Sequence, residues 1–207
     1  MDKELIFKKF GGDYLANEDT YHMGIHHLLA EKIAQRFPKD GICLDACLGA
    51  GFMAIPLAKR VKKVIGVDIN AIHLKQARQN AGKASAANKI EFIEGDILQV
   101  IKKLNKIDAA FLDPDWARVG DSKENHVSDL SQMVPDADVL LSEVRRKTEN
   151  ICLRLPKSFV LENLGHSFSC GEIESVYLND RLKFHCIYFG NLAKTDGRSE
   201  LRINTAN

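Results

Sequence analysis

The chain has 207 residues, 45% of them apolar and 28% charged, with 29 Lys and Arg against 28 Asp and Glu for a formal net charge of +1. That balance suits one domain with a sizeable core. It excludes wholesale disorder, collagen, coiled coil and a strongly basic binder held by sequence-blind phosphate neutralisation, although a local patch could still meet RNA. No stretch approaches the roughly 20 apolar residues of a membrane span, and residues 1–14 lack a secretory apolar core, so a cytoplasmic protein with no membrane partner is expected.

Residues 1–17 show no clear period. Residues 21–37 set Ile25, Leu28, Leu29, Ile33 and Phe37 at helical spacing, and Pro38 ends that helix. Residues 1–37 are therefore expected to form a helical extension packed on a core domain of residues 38–207. Within that core, strands are predicted at 42–46, 64–68, 90–93, 109–112, 151–155, 173–178 and 182–189. Helices are predicted at 52–60, 71–84, 97–105 and 136–148, with Pro56 expected to weaken and kink the first of them. Alternating strand and helix specifies an open parallel sheet with helices on both faces. The last two strands are separated only by Asn179, Asp180 and Arg181, too few residues for a parallel crossover, so they must pair antiparallel. A mostly parallel seven-stranded α/β sheet closed by an antiparallel hairpin points to the class I, Rossmann-like methyltransferase architecture rather than to a dinucleotide dehydrogenase.

The first strand runs into Leu44-Asp45-Ala46-Cys47-Leu48-Gly49-Ala50-Gly51. Gly49 and Gly51 permit a tight turn and a close approach of backbone N–H groups to a ligand. Asp68 ends the second strand, where a carboxylate can accept both hydroxyls of a ribose. Asp96 follows the third, where an acceptor would face the adenine edge. Gly49-x-Gly51-x-x-Ala54 also satisfies a dinucleotide fingerprint. Asp45 argues against it, because a carboxylate four residues before the first glycine suits a sulfonium and ammonium cation better than a pyrophosphate. The expected cofactor is S-adenosyl-L-methionine.

The fourth strand leads into Asp113-Pro114-Asp115-Trp116, at a carboxyl end of the sheet where ligands of open α/β folds lie. Trp116 is the only tryptophan. An exocyclic amine on an aromatic ring is a weak nucleophile, so it must be aligned with the methyl–sulfur bond and its N–H groups need acceptors. The Asp113 carboxylate and the Pro114 carbonyl can accept, and Trp116 can stack the ring. Such a loop is the Asp/Asn/Ser-Pro-Pro-aromatic arrangement of amino-methyltransferases.

From about Ile25 to Leu192 the chain resembles the trimethylguanosine synthase family, the RNA cap guanine-N2 methyltransferases. The resemblance runs through LDACLGAG, VIGVDIN with the helix ending ARQNA, KIEFIEGDIL, AAFLDPDW, NICLRLPKS and LNDRLKFHCIYFGNL. It implies a Rossmann-like fold and methyl transfer from S-adenosylmethionine to guanine N2. It aligns Asp113, Pro114 and Trp116 with a Ser-Pro-Pro-Trp catalytic loop, Trp116 taking the place of the tryptophan that stacks on 7-methylguanine. Asp115 stands where the family has its second proline and is expected to contact substrate. The short segment ahead of the match is read as that of a compact prokaryotic relative.

Tyr21 and His22 are candidates for the pocket wall. His22 and His26 lack the carboxylate of a zinc motif, so no metal is expected. Cys43, Cys47, Cys152, Cys170 and Cys186 read as reduced core thiols. Residues 59–63 and 145–147 are basic clusters that serve either as solvated faces or as RNA contacts, and residues 121–125 read as a mobile lid edge. RNA or a guanine nucleotide is the expected substrate, and a protein partner for target choice is compatible with the lack of a separate RNA-binding domain. Other acceptors (adenine N6, cytosine N4, a protein glutamine) fit the same loop. A non-catalytic cofactor-binding module and, more distantly, a nicotinamide oxidoreductase stay open as alternatives.

Overall fold

The computed structural model describes residues 1–116, 127–164 and 171–205, and the chain divides at the start of its fourth strand into two units, Met1–Ala109 and Ala110–Asn207.

In the first unit, β1 (Ile42–Ala46), β2 (Lys63–Asp68) and β3 (Ile90–Glu94) pair in parallel in the order β3-β2-β1. β1 and β2 are buried along nearly their whole length, which matches their unbroken apolar runs. Three helices lie before β1: α1 (Lys3–Phe10), α2 (Glu18–Met23) and α3 (His27–Ala34). α4 (Ala54–Arg60) and α5 (Ala71–Lys83) link the strands, and α6 (Ile97–Lys103) follows β3. Asn70 caps α5 by accepting from the N–H groups of Ile72 and His73. α5 then buries Leu74, Ala77, Asn80 and Ala81 on one stripe. α3 does the same with Leu29, Ala30, Ile33 and Ala34, and each fully buried Leu or Ile there contributes about 1.5–3 kcal/mol.

The single helix expected over 21–37 is two. Gly24 leaves the helical region with ψ 143 and ends α2, and His26 starts α3 by accepting from Leu28 N–H. α1 was not anticipated, because only Ile6 and Phe10 of its apolar residues are buried while Leu5 and Phe7 face solvent. Pro56 does no damage: it is the third residue of α4, where the amide would have no intrahelical acceptor in any case.

In the second unit, β4 (Ala109–Leu112) pairs in parallel with β5 (Ile151–Pro156), and α7 (Ala137–Arg145) lies between them in sequence. β7 (Arg181–Tyr188) pairs antiparallel with both β5 and β6 (Glu172–Leu178). β6 and β7 are thus the expected hairpin. Its turn residues Asn179 and Asp180 have φ 51 and 56, as the two-residue turn between twisted strands requires. An eighth strand, β8 (Gly197–Ile203), pairs in parallel with β6, so the seven-stranded expectation is one short. The order in this unit is β4-β5-β7-β6-β8. Register places Arg154, Cys186 and Glu174 side by side on one face.

Candidate active site

The glycine loop follows β1 directly. Leu48 N–H donates to the Val67 carbonyl at 2.8 Å, which fixes the loop to β2. Cys47, Gly49 and Gly51 all have left-handed φ, at 66, 56 and 83. A Cβ on Gly49 would meet nothing within 4 Å, whereas one on Gly51 would lie 3.3 Å from Ala77 Cβ. Gly51 is thus glycine for packing as well as for conformation, and Gly49 borders open space.

Asp68 ends β2 with its side chain held by backbone. Oδ2 accepts from Gly49 N–H at 2.6 Å and Oδ1 from Asn70 N–H at 2.8 Å, with His73 Nδ1 3.6 Å away. A carboxylate has about four lone-pair positions, so it retains capacity for further donors. Asp45 lies on β1 at 1% exposure, opposite Gly66 of β2. Asp96 is exposed and caps α6, its Oδ1 accepting from Leu98 N–H at 2.9 Å. Open space beside Gly49 and carboxylates at or near the ends of three parallel strands fit a cofactor that carries a cation and a ribose but no phosphate.

Sequence reasoning missed Asn80. It is fully buried on α5, and its side-chain amide donates to the carbonyls of Leu15 at 2.9 Å and Ala50 at 3.0 Å while accepting from Leu15 N–H at 2.7 Å. One side chain therefore ties the residue between the two loop glycines to the segment after α1. The signal was a polar residue inside the apolar stripe Leu74, Ala77, Ala81. Beside it, Phe10 of α1 stacks on Phe52 with Tyr21 edge-on, so α1 packs against the loop that precedes α4. Of the two pocket-wall candidates, Tyr21 is partly buried in this group and His22 is exposed.

In the second unit, Asp113 and Pro114 follow β4, and Asp115 forms a two-way backbone bridge with Val134 at 2.8 and 3.0 Å. That bridge stiffens the loop where the family's second proline is absent. Asp113 Oδ2 accepts from Arg154 Nη1 at 2.5 Å. Burial pushes the Asp113 carboxyl above its ordinary value, and the Arg154 charge pulls it the other way without cancelling the rise. The Arg154 guanidinium lies 4.4 Å from the Trp116 ring centroid and 4.7 Å from that of Phe184. Trp116 is partly exposed, but its indole nitrogen is buried with no hydrogen-bond partner among the described residues. Arg154 and Phe184 were also missed. The available signal was a single charge in the apolar run of β5.

Cys43, Cys152 and Cys186 are buried and Cys47 partly so, with no disulfide among the described residues; burial pushes the Cys43 thiol up to about 12. Cys170 and residues 121–125 lie outside the described residues. In the basic clusters, Arg60 donates to the Phe37 carbonyl, Lys63 pairs with Glu91 and Arg146 with Glu143, so these side chains serve the local surface.

Parallel strands, a glycine loop after the first and an Asp-Pro loop after the fourth define a Rossmann-like, S-adenosylmethionine-dependent methyltransferase. Solved structures share the fold. A Porphyromonas gingivalis W83 protein matches at TM-score 0.71 and 19% identity over 85% of this chain and 43% of that one. Precorrin-6y C5,15-methyltransferase from Geobacter metallireducens GS-15 matches at TM-score 0.59 and 14% identity over 86% and 93%. Among curated relatives, 2-phytyl-1,4-naphtoquinone methyltransferase of Nostoc sp. (strain PCC 7120) is 34% identical over 111 residues, 51% of this chain and 48% of that protein. The 23S rRNA (uracil(1939)-C(5))-methyltransferase RlmD of Shewanella sp. (strain W3-18-1) is 42% identical over 84 residues, 39% and 18%. The chain thus spans less than half the length of these curated relatives. Residues 40–192 match the family described as RNA cap guanine-N2 methyltransferase, and the chain belongs to that family. No described helix is long and apolar enough to cross a membrane.

Proposed function

We propose that the protein moves a methyl group from S-adenosylmethionine to an exocyclic amine of a nucleobase in RNA, with guanine N2 as the acceptor. The observation that carries this is that Arg154 of β5 holds Asp113 and packs on Trp116, both on the loop after β4, in a chain of the guanine-N2 family. When bound, the cofactor supplies an electrophilic methyl carbon. Asp45 faces its cationic end, Asp68 accepts from the ribose, Asp96 meets the adenine, and Gly49 and Gly51 make room.

Trp116 stacks the base and fixes its plane, which is worth about 1–3 kcal/mol. Asp113 keeps one oxygen on Arg154, and its other oxygen accepts from the attacking amine together with the Pro114 carbonyl. N2 gains a methyl group and sheds a proton, and a carboxylate of raised proton affinity is a better acceptor for that proton than a surface aspartate.

The test is incorporation of labelled methyl groups into RNA and guanine nucleotides, followed by mass spectrometry of the nucleosides. N2-methylguanosine is the expected product. Methylated adenine, cytosine or protein amide in its place would overturn the assignment.

A further inference from the structure

Arg154 is 5% exposed and is the only charged residue of β5. Its guanidinium lies over the Trp116 ring at 4.4 Å on one side and the Phe184 ring at 4.7 Å on another, and it donates to Asp113 at 2.5 Å. One face of the indole is therefore occupied by a permanent positive charge. A base that stacks on Trp116 must use the opposite face.

That geometry bears on which base is accepted. A ring with a cation on one face presents a weaker negative potential on the other, so it attracts a second cation less. A positively charged base would also face Arg154 across the ring at roughly 8 Å, with the indole rather than water between them. Asp113, the partly buried carboxylate of the loop, has its charge engaged by Arg154. Asp115 is exposed, so solvent and salt screen its pull on a cation.

We infer that Arg154 is a specificity-determining residue and that the site takes neutral guanine in preference to the cationic 7-methylguanine. This rests on the proposed function, since it takes guanine to be the base stacked on Trp116. Arg154 acts through the ring it backs and the carboxylate it holds.

Trp116 is the only tryptophan, so its fluorescence reports stacking directly. The experiment titrates the S-adenosylhomocysteine-loaded protein with guanosine monophosphate and with 7-methylguanosine monophosphate. The neutral nucleotide is expected to quench with a Kd about tenfold lower, a difference of about 1.4 kcal/mol. Arg154→Gln, checked for folding by thermal melting, is expected to bring the two within about twofold. Arg154→Lys keeps the charge and is expected to keep the preference, which a purely structural role for Arg154 would not produce. Tighter binding of 7-methylguanosine monophosphate by the unaltered protein, or an unchanged ratio in a folded Arg154→Gln, overturns the inference and leaves the proposed function standing. Quenching by neither nucleotide, with S-adenosylhomocysteine still bound, overturns the stacking role of Trp116 and the inference with it.

Discussion

The two groups of candidate site residues, one in each unit, are held by different means. In the first unit, two of the carboxylates assigned to the cofactor are anchored by backbone N–H groups: Asp68 by those of Gly49 and Asn70, and Asp96 by that of Leu98. In the second, Asp113 is anchored by the side chain of Arg154, 41 residues away, which also packs on Trp116 and Phe184. Backbone anchoring survives most substitutions of side chains. Anchoring by a largely buried ion pair does not, because removing either partner leaves a charge without compensation.

That contrast sets an order of vulnerability. Arg154→Met should cost the most, about 3 kcal/mol of stability in chemical denaturation, since it leaves the Asp113 carboxylate in a site built for a pair. A loss under about 1 kcal/mol would mean that the pair holds little. Trp116→Ala should lower methyl transfer about 100-fold in single-turnover assays while cofactor affinity measured by calorimetry stays within about twofold. A parallel loss of both would mean that Trp116 does more than stack the base. Gly49→Ala should cost about 1–2 kcal/mol for its left-handed φ of 56. The added methyl group enters open space in the free protein, so a further loss of about tenfold in cofactor affinity is expected from steric overlap. Unchanged affinity would place the cofactor elsewhere.

The smallest effect concerns His185, which is buried beside Ser175 and whose imidazole is lowered below its ordinary value by burial. The unfolded chain takes up this proton below about pH 6.5 while the folded chain resists it, so its contribution to stability is present at pH 7 and declines as pH falls toward 5. His185→Gln should flatten the melting temperature across that interval relative to the unaltered protein.

The same contrast explains what could be read from the chain. β1 and β4 were bounded to the residue, and the glycine loop and Asp-Pro loop were found because each is a short pattern of contiguous residues. Asn80 and Arg154 carry no local pattern. Each is a polar side chain on an apolar surface, and its purpose lies in a partner tens of residues away. α1 escaped because half of its apolar residues face solvent, and the break between α2 and α3 because Ile25 is buried on either account. β8 escaped because Gly197–Ile203 is an exposed strand with only Leu201 and Ile203 as apolar residues.

β8 also lies past residue 192, where the family match stops. It runs in register along all of β6, places Ser199 on the buried Glu172 carboxylate at 2.5 Å and seats Arg202 over the Tyr177 ring at 3.9 Å. A protein trimmed to its family boundary would keep every residue of the proposed chemistry yet bare a row of amide and carbonyl groups on β6. Such a fragment would be prone to zip onto its own copies, and low yields of it would say nothing about the enzyme.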